Sequence, residues 1–182
     1  MAALFLLDPT LPHMCAALLA MVFLVGAWQK LRDMATLEMA IEQYRLLPAS
    51  TASAAGWGLV AAEVTAGVLL LPLATRQIGV VMAVLLLLLV TSAVAINLLR
   101  GRRAIDCGCG GPEGNQHLSW GLVLRNGLLG LAAMVVASAP TSRELVWLDG
   151  LTVLAGALAL YGVYAAANQL MGNHPKLLKL KG

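Results

Sequence analysis

Five long apolar segments alternate with shorter polar segments along the chain. Each apolar segment is long enough to cross the roughly 30 Å hydrocarbon layer of a membrane as a helix. Backbone groups inside hydrocarbon must form their hydrogen bonds within the segment, which favours helices over strands. The pattern therefore predicts an all-α integral membrane helical bundle of about five transmembrane helices, a four-helix core plus one. The predicted spans are residues 11–31, 52–74, 78–99, 119–139 and 145–170.

The segment 32–47 has a different pattern, because apolar residues are mixed with acids and bases. Met34, Leu37 and Ile41 stand among Asp33 and Glu38, and a proline follows the segment. Such a mixture is typical of an amphipathic helix that lies at the membrane interface. A polar, glycine-rich loop covers residues 100–118, between the third and fourth spans. With no internal repeat, the chain is expected to form a single multi-pass membrane domain over residues 1–182.

Composition narrows the class of protein further. The 182 residues are 60% hydrophobic and only 12% charged, with a mean hydropathy of +0.83. Soluble domains carry roughly 25% charged residues, so a water-soluble globule of this size is excluded. Disordered chains have the opposite balance of charge and hydrophobicity. The net charge of +3 is small and scattered, which argues against a nucleic-acid partner. The composition therefore predicts a protein that is embedded in membrane lipid.

The basic residues are unevenly divided between the two membrane faces. With five spans, the first loop, the third loop and the C-terminal tail share one face, which holds nine of the 12 lysines and arginines. The rule that cytoplasmic loops are rich in Lys and Arg places this face, and the loop 100–118, in the cytoplasm. The nine residues are Lys30, Arg32, Arg45, Arg100, Arg102, Arg103, Lys176, Lys179 and Lys181.

The candidate chemistry lies in the glycine-rich loop, at Cys107 and Cys109. Two thiols one residue apart are able to form a disulfide in a tight ring, and the glycines beside them supply the unusual backbone angles that the ring requires. A strained disulfide is easily reduced and so oxidises other dithiols. We predict that Cys107 and Cys109 are a catalytic redox pair, while Cys15, inside the first span, is a small core residue.

Two other interpretations of the loop remain open. The two cysteines are inert thiols in a tight turn, or they bind a metal ion together with His117 and Asp106. Structural zinc sites usually space their cysteines by two to four residues, and one histidine alone lies nearby. No metal is therefore expected.

Within the predicted spans, the polar residues Glu63, Arg125 and Asn126 are the candidates for a functional site. Ionisable groups inside a bilayer are costly and usually have a function and a partner. Since their helices start from the same face, Glu63 and Arg125 are expected to pair, either as a structural ion pair or as part of a site. Electrons taken up by the cysteines need an acceptor, and a lipid-dissolved quinone reaches the mouth of a bundle. Arg125, Asn126 and Glu63 are the candidates for binding it or stabilising the negative charge that its reduction creates.

The motif residues carry a resemblance to a known family. The spans, Arg100-Gly101-Arg102, the run Asp106 to Gly111 (DCGCGG) and Arg125-Asn126 resemble the methylamine utilisation protein MauE family. The family is similar to membrane thiol oxidoreductases of the vitamin K epoxide reductase type, which pass electrons from thiols to quinones. Those proteins usually have a Cys-x-x-Cys pair and a second, shuttle pair. The spacing here is one residue shorter, and segment 32–47 has no cysteine.

The resemblance implies a function in protein maturation. MauE proteins are inner-membrane proteins needed to mature the disulfide-rich small subunit of methylamine dehydrogenase, with MauD, a thioredoxin-like partner. The implied activity is disulfide formation by a thiol-disulfide oxidoreductase with no covalent cofactor, and it favours a periplasmic cysteine loop in a bacterial inner membrane, against the charge count. The alternative is a non-enzymatic scaffold that docks the partner or the apo-subunit. A transporter is disfavoured because no inverted repeat is visible.

Overall fold

A computed structural model describes residues 8–102, 105–108, 117–138 and 144–179. Its helices, in chain order, are α1 (Thr10–Arg32), α2 (Met34–Tyr44), a short 3₁₀ turn (Ala49–Thr51), α3 (Ala52–Leu69), α4 (Arg76–Leu99), α5 (Trp120–Ala137) and α6 (Trp147–Lys179).

The prediction of a helical membrane bundle is confirmed. Within the described residues, α1, α3 with its preceding 3₁₀ turn, α4, α5 and the part of α6 up to Asn173 are long and apolar enough to cross a membrane. Outside the helices, the described residues contain one isolated β-bridge, between Asp106 and His117. The chain therefore folds as a multi-pass membrane protein.

The second span ends earlier than predicted, at Leu69 instead of residue 74. Pro72 follows closely, and proline has no N–H to continue a helical ladder. The carbonyls freed at this end find side-chain partners: Thr75 Oγ1 donates to the oxygen of Leu69 at 3.0 Å, and the Arg76 side chain donates to Leu70 and Leu71 at 3.2 Å. The hydroxyl and guanidinium thus satisfy the helix end and allow a tight turn into α4.

Helix α1 is central to the packing of the bundle. It packs against α3, α5 and α6, while α4 packs against α3 and α5. The largest buried cluster joins α1 to α4, to α5 and to the end of α3. Its members outside α1 are Leu70, Val80, Ala83, Leu129, Ala133 and Val136. Cys15 belongs to this cluster as a buried free thiol, which agrees with its predicted place in the core. Helix α6 packs at the edge of the bundle, and most of its described side chains are exposed.

The predicted interfacial helix is present as α2, and its N-terminus is capped by a side chain. Asp33 caps its N-terminus, because the Asp33 carboxylate accepts from the Thr36 N–H at 3.1 Å and the Thr36 hydroxyl at 2.6 Å. These hydrogen bonds hold the pKa of Asp33 below its usual value. Leu37, Ala40 and Tyr44 form the buried face of α2 and point towards the bundle. This face positions the candidate site described next.

Candidate functional site

Cys107 lies where the chain leaves α4 and returns to α5. The Leu118 N–H donates to the Ile105 carbonyl at 3.1 Å, and an antiparallel β-bridge joins Asp106 to His117. These contacts hold the two ends of the loop next to each other. The Gly108 N–H donates to the Asp106 carboxylate at 3.0 Å, which fixes the turn after Cys107. Cys107 is disulfide-bonded and 6% exposed, within a cluster that includes Leu98, Ile105 and Leu122.

Helix α2 covers this turn from the membrane interface. The Tyr44 hydroxyl donates a 3.3 Å hydrogen bond to the carbonyl oxygen of Cys107. Gly108 has φ +67°, and a β-carbon there would lie 3.0 Å from the β-carbon of Ala40, so the backbone passes directly against α2. Arg102 strengthens the contact by donating to the Tyr44 carbonyl at 3.4 Å and to the Asn97 side chain at 3.2 Å. Sequence reasoning did not find Tyr44, since no local pattern connects it to Cys107.

The state of the Tyr44 hydroxyl follows from its surroundings. Burial first, and then the negative charge of Asp106, raises the pKa of Tyr44 well above its usual range. The phenol therefore stays protonated at physiological pH and keeps its proton available for the Cys107 carbonyl.

A cavity of about 930 Å³ extends from Cys107 into the bundle. Its volume is within the range of known small-molecule sites, roughly 300–1,000 Å³. Most of its lining is apolar, and all six helices, α1 to α6, contribute to it. The polar and ionisable lining residues include Lys30, Tyr44, Glu63, Arg125, Asn126, Tyr161, Tyr164 and Asn168, together with Cys107 itself. The predicted site residues Cys107, Arg125, Asn126 and Glu63 thus line one space.

Arg125 and Asn126 form one polar group in this cavity. The Arg125 guanidinium donates to the Asn126 side-chain oxygen at 3.1 and 3.3 Å and to the Asn168 side-chain oxygen at 2.6 Å. It also lies 5.7 Å from the ring centroid of Tyr164, a cation–π distance. Asn126 in turn donates to the Thr91 hydroxyl at 3.1 Å. Among the described residues these partners of Arg125 are neutral, so its positive charge faces the cavity without a carboxylate beside it.

The expected pairing of Glu63 with Arg125 is wrong. Lys30 donates to both carboxylate oxygens of Glu63, at 2.6 and 2.7 Å, and the two side chains are 12% and 9% exposed. Side chains lean towards the N-terminus of their own helix. Lys30, near the end of α1, therefore leans into the membrane, whereas Glu63, within α3, leans back towards the start of its helix, and the two side chains meet. Because Lys30 stands near the end of an apolar segment, the sequence indicates a loop charge and does not indicate an ion pair with Glu63.

Three further predictions concern the loop and its flanks. Cys109 lies outside the described residues. Within the part of the chain that the structure describes, no group of three or more His, Cys, Asp or Glu side chains is placed to hold a metal ion. Asp106 and His117 are brought together through their backbones.

These features define a class of protein: a helical membrane bundle whose internal cavity joins a disulfide at one membrane face to charged groups within the spans. The sequence profile of methylamine utilisation protein MauE matches residues 8–139. The chain belongs to this family. None of the solved structures matches it.

Similar proteins cover almost the whole chain. Methylamine utilization protein MauE of Paracoccus denitrificans is 37% identical over 172 residues, which are 92% of this chain and 91% of the relative. The protein of the same name from Paracoccus versutus is 32% identical over 96% of both chains. That of Methylophilus methylotrophus is 30% identical over 91% of this chain and 88% of the relative. The chain is therefore a member of the methylamine utilisation system.

Proposed function

We propose that the protein forms disulfides in the small subunit of methylamine dehydrogenase by thiol–disulfide exchange through Cys107 and Cys109, with the thioredoxin-like protein MauD as its partner. One observation carries the proposal: the disulfide of Cys107 lies at the wall of a cavity that also contains Arg125 and Asn126. Cys15 is a free thiol in the core, and we propose Cys109, two residues after Cys107, as the partner of Cys107.

The exchange balances as two linked transfers. A thiolate of MauD attacks the Cys107–Cys109 disulfide, and the mixed disulfide is resolved by the second thiol of MauD, which leaves both cysteines reduced. The oxidised MauD then passes its disulfide to the client and recovers two thiols. Reoxidation of Cys107 and Cys109 removes two electrons and two protons, and these must leave through an acceptor.

The cavity fits a membrane quinone as that acceptor. A quinone, when bound, accepts two electrons and two protons at its two oxygens. The apolar walls suit its ring and tail, and the unbalanced positive charge of Arg125 favours the negative charge that develops on an oxygen during reduction. Asn126 holds the guanidinium in place through two hydrogen bonds. Cys107 faces the same space, so its sulfur is the one expected to pass electrons to the acceptor.

Orientation is part of the proposal. A protein that oxidises periplasmic thiols needs its cysteine loop on the periplasmic side of the bacterial inner membrane, since cytosolic thiols are kept reduced. The count of basic residues favours the opposite orientation. A thiol reagent that does not cross membranes decides between them: after mild reduction of intact spheroplasts, it should label the loop cysteines. Labelling that requires opened membranes would place the loop in the cytoplasm and contradict the proposal.

Replacement of the cysteine pair tests the function. Cells that carry Cys107→Ser and Cys109→Ser together should accumulate a small subunit with free thiols, at unchanged membrane levels of the variant. Cys15→Ser is the matched control and should leave the disulfide content of the client as in the wild type. Full maturation by the double variant would contradict the redox function and favour a membrane scaffold that docks the partner or apo-subunit.

A further inference from the structure

The ion pair of Lys30 and Glu63 has no part in the exchange described so far, although it lines the same cavity as Cys107. Both side chains are nearly buried, at 12% and 9% exposed, within two spans. A structural ion pair gains little over well-packed apolar residues, because the charges must first be removed from water. Because the pair lines a ligand-sized cavity, an interaction with the ligand would account for the presence of these two charges.

The reduction of the quinone also needs a source of protons, which the exchange described above does not identify. Reduction of a quinone to a quinol adds two protons, and bulk water is excluded from the middle of a bilayer. Arg125 does not release its proton in proteins, so it stabilises charge but is not an acid. A lysine ammonium, unlike a guanidinium, is able to give up a proton, and the Glu63 carboxylate, which accepts from Lys30 Nζ at 2.6 and 2.7 Å, holds this ammonium at the cavity.

We propose that Lys30, held by Glu63, is the acid that protonates one oxygen of the quinone; the inference rests on the proposed function. Two electrons pass from the thiols of Cys107 and Cys109, which form a disulfide and release two protons. One N–H bond of Lys30 breaks as one O–H bond forms on the acceptor. A proton released by the thiols restores the ammonium, and the second reaches the other oxygen, beside Arg125. The reaction takes no net proton from either side of the membrane.

The two polar groups of the cavity then have separate roles. Lys30 and Glu63 are on α1 and α3, whereas Arg125 and Asn126 are on α5. A 1,4-quinone has its two oxygens at opposite ends of the ring, so we expect one oxygen to lie near Lys30 and the other near Arg125, since both residues line the cavity. This arrangement predicts that the cavity selects ligands with two opposed acceptor oxygens over ligands with one.

Lys30→Arg separates proton donation from structural support. Arginine keeps the positive charge and the contact with Glu63, but it does not give up its proton. The full-length variant, in lipid nanodiscs, is reduced with dithiothreitol, freed of reductant and mixed with a short-chain ubiquinone under anaerobic conditions. We expect quinone reduction about 100-fold slower than in the wild type, with quinone binding, measured by tryptophan quenching, and disulfide exchange with dithiothreitol unchanged. Thr65→Ala, on α3 with an exposed side chain, is the control and should react at the wild-type rate.

Each result has one meaning. Wild-type reduction rates in a folded Lys30→Arg variant would overturn the role of Lys30 and leave the proposed function standing. Absence of quinone reduction by the wild-type protein would instead contradict the acceptor in the proposed function. If Lys30→Arg does not fold, the uncharged combination Lys30→Gln with Glu63→Gln needs no counter-charge and carries the same test: slow reduction supports the inference, and wild-type reduction overturns it.

Discussion

The hydroxyl of Tyr44 donates a hydrogen bond to the carbonyl oxygen of Cys107 across 3.3 Å, although the two residues are 63 positions apart in the sequence. This bond ties the interfacial helix α2 to the turn that carries the disulfide. The position of Cys107 at the cavity therefore depends on α2 as well as on the loop, and this dependence can be measured.

Tyr44→Phe should lower the free energy of unfolding by about 1 kcal/mol at pH 7, the usual net contribution of one hydrogen bond. Burial and Asp106 raise the pKa of Tyr44 above its unfolded value of about 10. Stability from the protonated phenol is therefore fully present below pH about 10 and is lost as pH rises through the raised pKa. Thermal unfolding at pH 7 and above pH 10 should show an alkaline loss in the wild type that is smaller in the variant. Equal alkaline losses would contradict the buried state of Tyr44.

Gly108→Ala tests the close approach of the loop to α2. The variant must adopt φ +67° and place a β-carbon 3.0 Å from that of Ala40. Gly101→Ala is a matched control, because φ there is +75° but nothing lies within 4 Å. Both variants bear the cost of a left-handed alanine, about 1 kcal/mol, and Gly108→Ala should be the less stable by a further amount. When both variants also carry Ala40→Gly, they should unfold at the same temperature, because the β-carbon that the new one at position 108 would meet is gone. A difference that persists would mean that the contact with Ala40 is not responsible.

Removal of one member of the Lys30–Glu63 pair should destabilise the bundle strongly. Glu63→Leu leaves a buried ammonium without its partner, a loss of about 3–5 kcal/mol. Glu63→Leu combined with Lys30→Met replaces both charges by apolar groups and should recover most of this loss. Unfolding in denaturant, in one detergent for all variants, provides the comparison. Additive losses in the combined variant would contradict the direct pairing of the two side chains.

Acid should loosen the start of α2 through Asp33. The hydrogen bonds from Thr36 lower the pKa of Asp33, so the stability they provide is present above the unfolded pKa of about 4 and is lost as pH falls through the lower, folded value. Asp33→Asn still accepts from the Thr36 N–H but does not titrate. Hydrogen exchange at the first turn of α2, after incubation at pH 7 and pH 3, should accelerate at pH 3 in the wild type more than in the variant. The same acceleration in both would exclude Asp33 as the cause.

Much of the fold could be predicted from the sequence, because hydrocarbon imposes a simple rule on backbone hydrogen bonding. Length and apolar content located the five spans, and the mixed pattern of segment 32–47 located α2. The end of α3 was misplaced, since the residues after Leu69 are still apolar. Pro72 and the side chains of Thr75 and Arg76 end the helix there.

The candidate site was predictable in its residues but not in its contacts. Cys107, Arg125, Asn126 and Glu63 were identified by their chemistry, because charge and thiols are rare in this chain. Their partners depend on which helices touch and on how side chains lean along each helix. Lys30 stands at the end of a span, where the sequence indicates a loop charge, and no local pattern connects Tyr44 to Cys107. The packing of α1, α2 and α3 brings both residues to the lining of one cavity.

The most direct test of the central claim is a count of electrons in the isolated protein. The full chain, reduced and freed of reductant in nanodiscs, is mixed anaerobically with a short-chain ubiquinone, and both quinol and free thiols are measured. We expect one quinol for each protein, with free thiols falling from three to one as Cys15 stays reduced. A combined Cys107→Ser and Cys109→Ser variant should form none. Thiols that stay reduced in the wild type, or equal quinol formation by the double variant, would contradict the central claim.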